Sequence, residues 1–496
     1  MTFLGDAPRG ALAYVRTRRV FLRLVGVVYL IAFWSIHGQM TGLFGARGLS
    51  PAASFLEQVG PQIAGSRVLA VPTLLWWLGA SDAVLSGVAL AGMIASVALV
   101  AGVLPLFAAI VLWVLYLSLV SVGDPFLSFQ WDSLLLETGF LAIFLAPATT
   151  RLGSQRAAPP SMIAIWLARL LLFRLMFFSG WVKLASGDPT WWSLDALQFH
   201  YWTQPLPTWT SWYANLLPAW AQKVSCAVMF AIELVLPFFL LGPRRLRLVA
   251  AAGFVALQAG IAATGNYGFF NLLAAVLCVP LLDDRILGGS PRAPEPRFPG
   301  RRWARLAVDV VVASVILVLA IPLSWRQLTG SVSWLDGALA PITQQLRPFH
   351  LVNPYGLFAV MTRSRPEVEI EGSTDGVTWR PYLFHWKPGP EDRAPAFVEP
   401  DMPRLDWQMW FDGLAIERMI ASGRGGYDLV TPALVRRLAD GAPEVLALLD
   451  ENPFPDAPPK ELRWRLWQYR FTDAAEREAT GRWWKRELVY DGGAAR

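Results

Sequence analysis

The chain has 496 residues, of which 54% are hydrophobic and only 16% charged, against about 25% charged in soluble globular chains. That balance, with a mean hydropathy of +0.40, excludes a soluble globular protein and describes a polytopic membrane protein. The net charge of +6 comes with arginines grouped in short loops between apolar spans, a topology signal rather than a nucleic-acid surface, so no nucleic-acid partner is expected.

Windows long enough to cross a bilayer, roughly 17 to 25 residues each, fall at 20–38, 83–104, 106–122, 129–147, 161–184, 219–241, 246–266, 267–282 and 303–325. They predict a polytopic α-helical membrane domain of about nine transmembrane helices. The window 267–282 is the weakest, being short and almost without a loop before it, so a re-entrant pair and a count of eight stay open. The first span carries Arg23 and is followed by IHGQMTG, with no small-residue cleavage signature, so it reads as an uncleaved anchor.

Basic residues should gather in alternate loops. Arg16, Arg18 and Arg19 precede the first span; Arg151 and Arg156 follow the fourth; Arg244, Arg245 and Arg247 follow the sixth; Arg285, Arg292, Arg297, Arg301 and Arg302 precede the ninth. This puts the N-terminus in the cytoplasm and makes the proline-rich stretch before the ninth span a cytoplasmic loop. The expected organisation is a membrane domain, 1–325, with a noncytoplasmic loop at 185–218, and then a small mixed α/β noncytoplasmic domain, 326–496. At about 150 residues that tail is long enough to bury its own core.

In the tail, EVEIEGSTDGVTWRPYLF alternates apolar and polar residues up to Asp375-Gly376 and resumes with Val377 and Trp379, a hairpin signal. LDWQMWFDGLAIERMI and TPALVRRLADGAPEVLALLDEN have helical spacing. The tail is therefore read as a few strands followed by helices, with Trp407, Trp410, Phe411, Trp464, Trp467 and Tyr469 packing its core or sheet, an exposed client-binding patch being the alternative.

Cys226 and Cys278 each lie in an apolar span, with no CxxC, so neither dithiol chemistry nor a disulfide is expected. Four scattered histidines give no metal-ligand spacing, and no cofactor signature is visible. What remains for chemistry is a set of ionisable groups in or at the edge of the membrane: Asp132, Glu137, Arg169, Arg174, Lys183 and Glu233. Such groups are costly and pair with one another or mark function; Glu137 with Arg174 is the expected pair. At the outer end of the fifth span, FSGWVKLASGDPTWWSLDALQFHYWTQPLPTW holds Lys183, Asp188, Trp191, Trp192, Asp195, His200 and Gln204. Asp188 reads as a turn former. Trp191, Trp192, Tyr201, Trp202 and Trp209 read as an interfacial aromatic belt. His200 is expected to bond Asp195 or to face Lys183, where it could move a proton.

The runs FQWDSLLLETGFLAIFLAP, RLMFFSGWVKLASGDPTWWSLDALQFHYWTQPLPTWTSWY, ELVLPFFLLGPRR and, in the tail, NPYGLFAVMTRSRPEVEIEGSTDGVTWRPYLFHWKPG, PRLDWQMWF, NPFPDAPP and YRFT resemble the lipase maturation factors over nearly the whole chain. The resemblance implies a membrane-resident folding factor of the endoplasmic reticulum that helps secreted lipases or related hydrolases become active. It carries over the loop residues Asp188, Trp191, Trp192, Asp195 and Gln204 and the tail residues Asp406, Trp407 and Trp410 as motif positions. Arginine-heavy, compact usage suits a bacterial homologue, which would favour the inner membrane with a periplasmic tail. Membrane lipid and an exported client are the expected partners. FSGWVKLASGDPTWW is also similar to a run in the membrane domain of vitamin K-dependent carboxylases, which would make Lys183 a catalytic base, with His200 as a second candidate. Gln258 and Asn271 within spans leave a transporter as a third reading.

Overall fold

The structure is a computed structural model that describes residues 14–154, 159–288, 299–423, 425 and 429–495. Arg156, Arg292, Arg297 and the proline-rich stretch that holds the last two lie outside these residues, as do the side chains of Arg301 and Arg302.

Apolar sequence folds into helices α1 (Val15–His37), α2 (Asp82–Ala101), α3 (Pro105–Val120), α4 (Gln130–Leu145), α5 (Met162–Ala185), α6 (Ala219–Leu241), α7 (Arg244–Thr264), α8 (Phe270–Leu281) and α9 (Trp303–Thr329). Six of them, α1, α2, α5, α6, α7 and α9, are long and apolar enough to cross a membrane. The other three expected spans form shorter helices: α3 and α4 have 16 residues each, about 24 Å at 1.5 Å per residue, and α4 also carries Asp132 and Glu137. Helix α6 changes its winding at Glu233. Pro237 has no N–H to donate to the carbonyl four residues back, and Ala231–Val235 widens to a π-turn before Leu236–Leu241 tightens to 3-10.

The described basic loops meet at one end of the helices. The backbone N–H groups of Arg16 and Thr17 donate to Asp284 at 2.9 Å, Arg19 donates to Gly153 O, and Arg244 pairs with Asp283 at 3.1 Å. The tail sits at the other end.

The tail is built on a four-stranded antiparallel sheet of β1 (Pro366–Ser373), β2 (Arg380–Pro381), β5 (Glu461–Phe471) and β6 (Trp484–Ala495), in the order β2-β1-β5-β6, with a two-stranded ladder of β3 (Leu383–Phe384) and β4 (Leu449–Glu451). The expected hairpin is present: Gly376 takes φ +73, and Asp375 Oδ1 accepts from the N–H groups of Val377 and Thr378 at 2.8 and 2.7 Å. Val377 and Trp379 belong to its turn, not to the returning strand, which pairs only from Arg380. The expected helices appear as α10 (Arg404–Ser422) and α11 (Thr431–Ala439). Gly413 lets α10 lie on β1, since a Cβ there would stand 2.2 Å from Pro366 O.

The order of strands and then helices needs correcting, because β5 and β6 follow the helices and β5 is central. In ELRWRLWQYRF only Leu462, Leu466, Tyr469 and Phe471 are buried. The intervening Arg and Trp side chains are each apolar along part of their length, which blurs the two-residue period. Among the described residues the core is continuous between the two parts: one apolar cluster runs from Phe21, Leu134 and Leu171 in the membrane helices to Val368, Ile370 and Leu466 in the sheet.

Candidate functional site

The site is the polar seam inside that shared core, where tail residues meet charges at the outer ends of the membrane helices. At its centre Asp132 on α4 accepts both ends of the Arg404 guanidinium at 2.8 Å, and Tyr116 on α3 donates to the same carboxylate at 2.5 Å. Both side chains of the ion pair are fully buried. Arg404 opens α10 and also donates to Phe126 O at 2.6 Å, so both of its terminal nitrogens are spent across the junction.

One turn farther along α4, Glu137 pairs with Arg174 of α5 at 2.6 Å, the pair expected from sequence. The same carboxylate accepts from the tail: Asn353 N at 3.0 Å, Asn353 Nδ2 at 3.2 Å and Tyr355 OH at 2.7 Å. Arg174 in turn donates to Asn353 O at 2.6 Å. The pair is therefore a docking post for residues 353–355 as well as a link between helices.

Lys183 and Glu233 satisfy each other at 2.7 and 3.0 Å, and both are buried. They can meet because α5 and α6 touch at Gly180, where a Cβ would stand 2.9 Å from that of Glu233. Arg169 makes no ion pair among the described residues; it donates to Pro280 O at 2.9 Å and to Tyr14 OH at 2.9 Å, and its guanidinium lies 4.7 Å from the Trp166 ring.

The loop at 185–218 faces the tail more than the bilayer. Asp188 caps a short turn through Thr190 N at 2.8 Å and also accepts from Met361 N at 2.7 Å and from Arg363 at 3.1 Å. Burial opposes its charge, but these donors hold its carboxyl below the usual carboxylate range. Of the expected aromatic belt only Trp192 and Trp209 are exposed, at 65% and 44%. Trp191, Tyr201 and Trp202 are buried instead, Trp191 donating to Phe358 O at 3.1 Å. For Trp191 the tail supplies the polar partner that a headgroup layer would otherwise offer, while Trp202 donates within the loop to Gln198 O at 3.0 Å. Asp195 bonds Lys223 and Gln198 at 3.1 and 2.5 Å, not His200.

His200 Nε2 lies 3.3 Å from Tyr267 OH, its Nδ1 has no partner, and Phe358 stands edge-on to its ring. Burial first, and then the charge of Lys183, lower its pKa to about 4, so it is neutral at physiological pH. Tyr267 OH donates at 3.0 Å to Gln204, which donates to Thr264 O at 2.6 Å. In the tail, Asp406 accepts from Trp386 N and Lys387 N at 2.8 and 2.9 Å. Trp407 stands edge-on to Trp131 with centroids 4.7 Å apart, and Trp410 donates to Thr203 O at 2.8 Å.

The partners missing from the sequence reading are the tail's own: Arg365, Arg404, Asn353 and Glu399. Arg365 is fully buried; it donates to Trp202 O at 2.9 Å, to Pro205 O at 2.7 Å and to Gln204 O, and pairs with Glu367 at 3.0 Å. Their only signal was position, a charge inside an aromatic motif such as PRLDWQMWF.

Glu399 accepts from Tyr267 N at 2.6 Å and Asn271 Nδ2 at 2.9 Å. Burial lifts its pKa to about 7, with these donors opposing the rise. A raised folded-state pKa contributes stability that is complete below the unfolded value and is lost as pH rises through the folded one. Glu399→Gln keeps an acceptor oxygen and should melt higher than wild type at pH 8, the gap closing near pH 5. A gap that is constant across melting curves at pH 5, 6.5 and 8 would refute this.

Residues 16–289 match the family model described as the lipase maturation factor transmembrane domain, and residues 351–492 match the lipase maturation factor C-terminal domain. The chain belongs to the lipase maturation factor family. It is 35% identical to lipase maturation factor 2 of Gallus gallus, over 98% of this chain and 81% of that protein. It is 34% identical to lipase maturation factor 2 of Homo sapiens (95% and 81%) and 34% identical to lipase maturation factor 1 of Bos taurus (95% and 87%). No solved structure matches. These relatives are vertebrate proteins, so the comparisons lend no support to the bacterial inner membrane favoured by arginine usage. With its apolar helices the chain is an integral membrane protein of this family.

Proposed function

We propose that this protein is a membrane-resident maturation factor for secreted lipases and that its tail acts on the noncytoplasmic side, in the endoplasmic reticulum. The observation that carries the reading is the match of both domains, in order, to proteins named for lipase maturation. The geometry adds a reason for joining them: the buried Asp132–Arg404 ion pair and buried hydrogen bonds to Glu137 and from Arg365 hold the tail on the helix ends and the 185–218 loop, so the tail is presented at the membrane surface in one orientation. Nine crossings with the N-terminus in the cytoplasm fit the gathering of basic loops at the end opposite the tail.

Two observations weigh against the other readings. The buried Lys183 amine donates to both oxygens of the Glu233 carboxylate, at 3.0 and 2.7 Å, so it is engaged by a protein partner rather than aimed at an open substrate site. Asn271 is taken by Glu399 of the tail and does not mark a transport path.

Cells lacking their own factor should secrete an active lipase when this chain is co-expressed. In vesicles from those cells, added protease should leave the tail intact until detergent is added. Replacing Lys183 and Glu233 together, by Met and Leu, should leave lipase output within about twofold. Inactive lipase despite abundant factor would sink the maturation role; a tail digested in intact vesicles would sink the topology; loss of output from a well-accumulated double variant would revive the enzyme.

A further inference from the structure

The segment between α9 and the tail is a membrane element of another kind. α9 ends at Thr329, Gly330 turns the chain with φ +67, and Ser333 opens a 13-residue helix, Trp334–Leu346. A capping box starts it, with Asp336 accepting from Ser333 N at 2.7 Å. No residue of this helix is buried. At 100° per residue, Trp334, Gly337, Ala338, Pro341 and Ile342 fall on one exposed, outward side, an arc that toward the C-terminal end also carries the uncharged Gln344 and Gln345. Trp334 is 79% and Ile342 47% exposed, and Val332 just before the helix is 76% exposed.

That arc carries no charge. The single ionisable residue of the helix, Asp336, is turned inward to Arg326 at 3.0 Å. Leu335, Leu339 and Leu346 are half-buried on the inner side, and the helix meets the short helix Arg67–Ala70. A helix facing water would carry charges on its outward side; an apolar arc of this kind suits lipid. Large apolar side chains are exposed at the adjoining end of α9 as well, Ile321, Trp325 and Leu328 at 53%, 48% and 38%. Arg347, exposed at the end of the helix, is placed to reach headgroups.

We propose that Trp334–Leu346 lies in the plane of the bilayer, in the leaflet on the tail's side, with its Trp334–Ala338–Ile342 arc sunk among acyl chains. The helix then ties the start of the tail to the lipid surface at a fixed depth, separately from the buried ion pairs. Neither the side of the membrane nor the identity of a client enters this assignment.

The test uses the full chain in phosphatidylcholine vesicles, spin-labelled singly as Ala338→Cys, Ile342→Cys or, for reference, Val377→Cys in the 82% exposed hairpin turn. The native Cys226 and Cys278 are both buried. Labels at 338 and 342 should show an oxygen-to-nickel-chelate accessibility ratio at least fivefold above that at 377. A ratio equal to that at 377 would place the helix in water. Low accessibility to both probes would mean that protein, such as a second copy, covers the arc. Either result overturns the proposal, and a thermal midpoint matching the unlabelled chain confirms that each labelled chain is folded.

Discussion

Asp132→Ala is expected to abolish most accumulation of the folded protein. It leaves the Arg404 guanidinium fully buried with only the Phe126 carbonyl and the distant Tyr116 hydroxyl. Removing one member of a buried pair costs about 3–5 kcal/mol, a large part of the roughly 5–15 kcal/mol that holds a typical protein folded. The cause is the stranded charge, not the loss of a favourable bond. Asp132→Leu combined with Arg404→Met should therefore recover most of the yield lost by either change alone. Fluorescence-detected size exclusion and melting of the detergent-solubilised chain provide the readout. A single variant that accumulates and melts like wild type would show that the tail does not dock where the structure places it.

Glu137→Ala should be nearly as severe, because one carboxylate serves Arg174, Asn353 and Tyr355 together. The loss should again be about 3–5 kcal/mol. It should divide in a telling way: Arg174→Met added to Glu137→Ala should recover part of the stability but not the anchoring of residues 353–355. Limited proteolysis near that segment should therefore stay faster than in wild type. Full restoration of both properties would reduce Glu137 to a partner of Arg174 alone.

The seam was only half legible beforehand. Asp132, Glu137, Arg174, Lys183 and Glu233 stand out in sequence because a charge inside an apolar run is rare and costly. Arg365, Arg404 and Asn353 stand in polar, tail-like sequence, where a charge is ordinary, so nothing local marks them as buried. The belt reading failed in part for the same reason: Trp191 and Trp202 have the composition of an interfacial loop, and distant tail residues, Phe358 O on Trp191 Nε1 and the Tyr469, Phe471 and Trp484 side chains clustered with Trp202, decide that they are interior. His200 was paired on paper with a residue near in sequence or with Lys183, while its contact is with Tyr267, 67 residues on.

The sequence by itself determined the membrane class, the apolar helices, the hairpin at Asp375-Gly376 and the family, since each rests on composition, periodicity or long continuous motifs. Only the tertiary structure decided that β5 is the centre of the tail sheet, that the tail and the helices share one core, and that Asp132 belongs to Arg404. The pairing of β5 with β1 and that of Arg404 with Asp132 span 88 to 272 residues of chain. Local periodicity carries no information about such pairings, because the free energy that selects them comes from burying charges and apolar surface that meet only after folding.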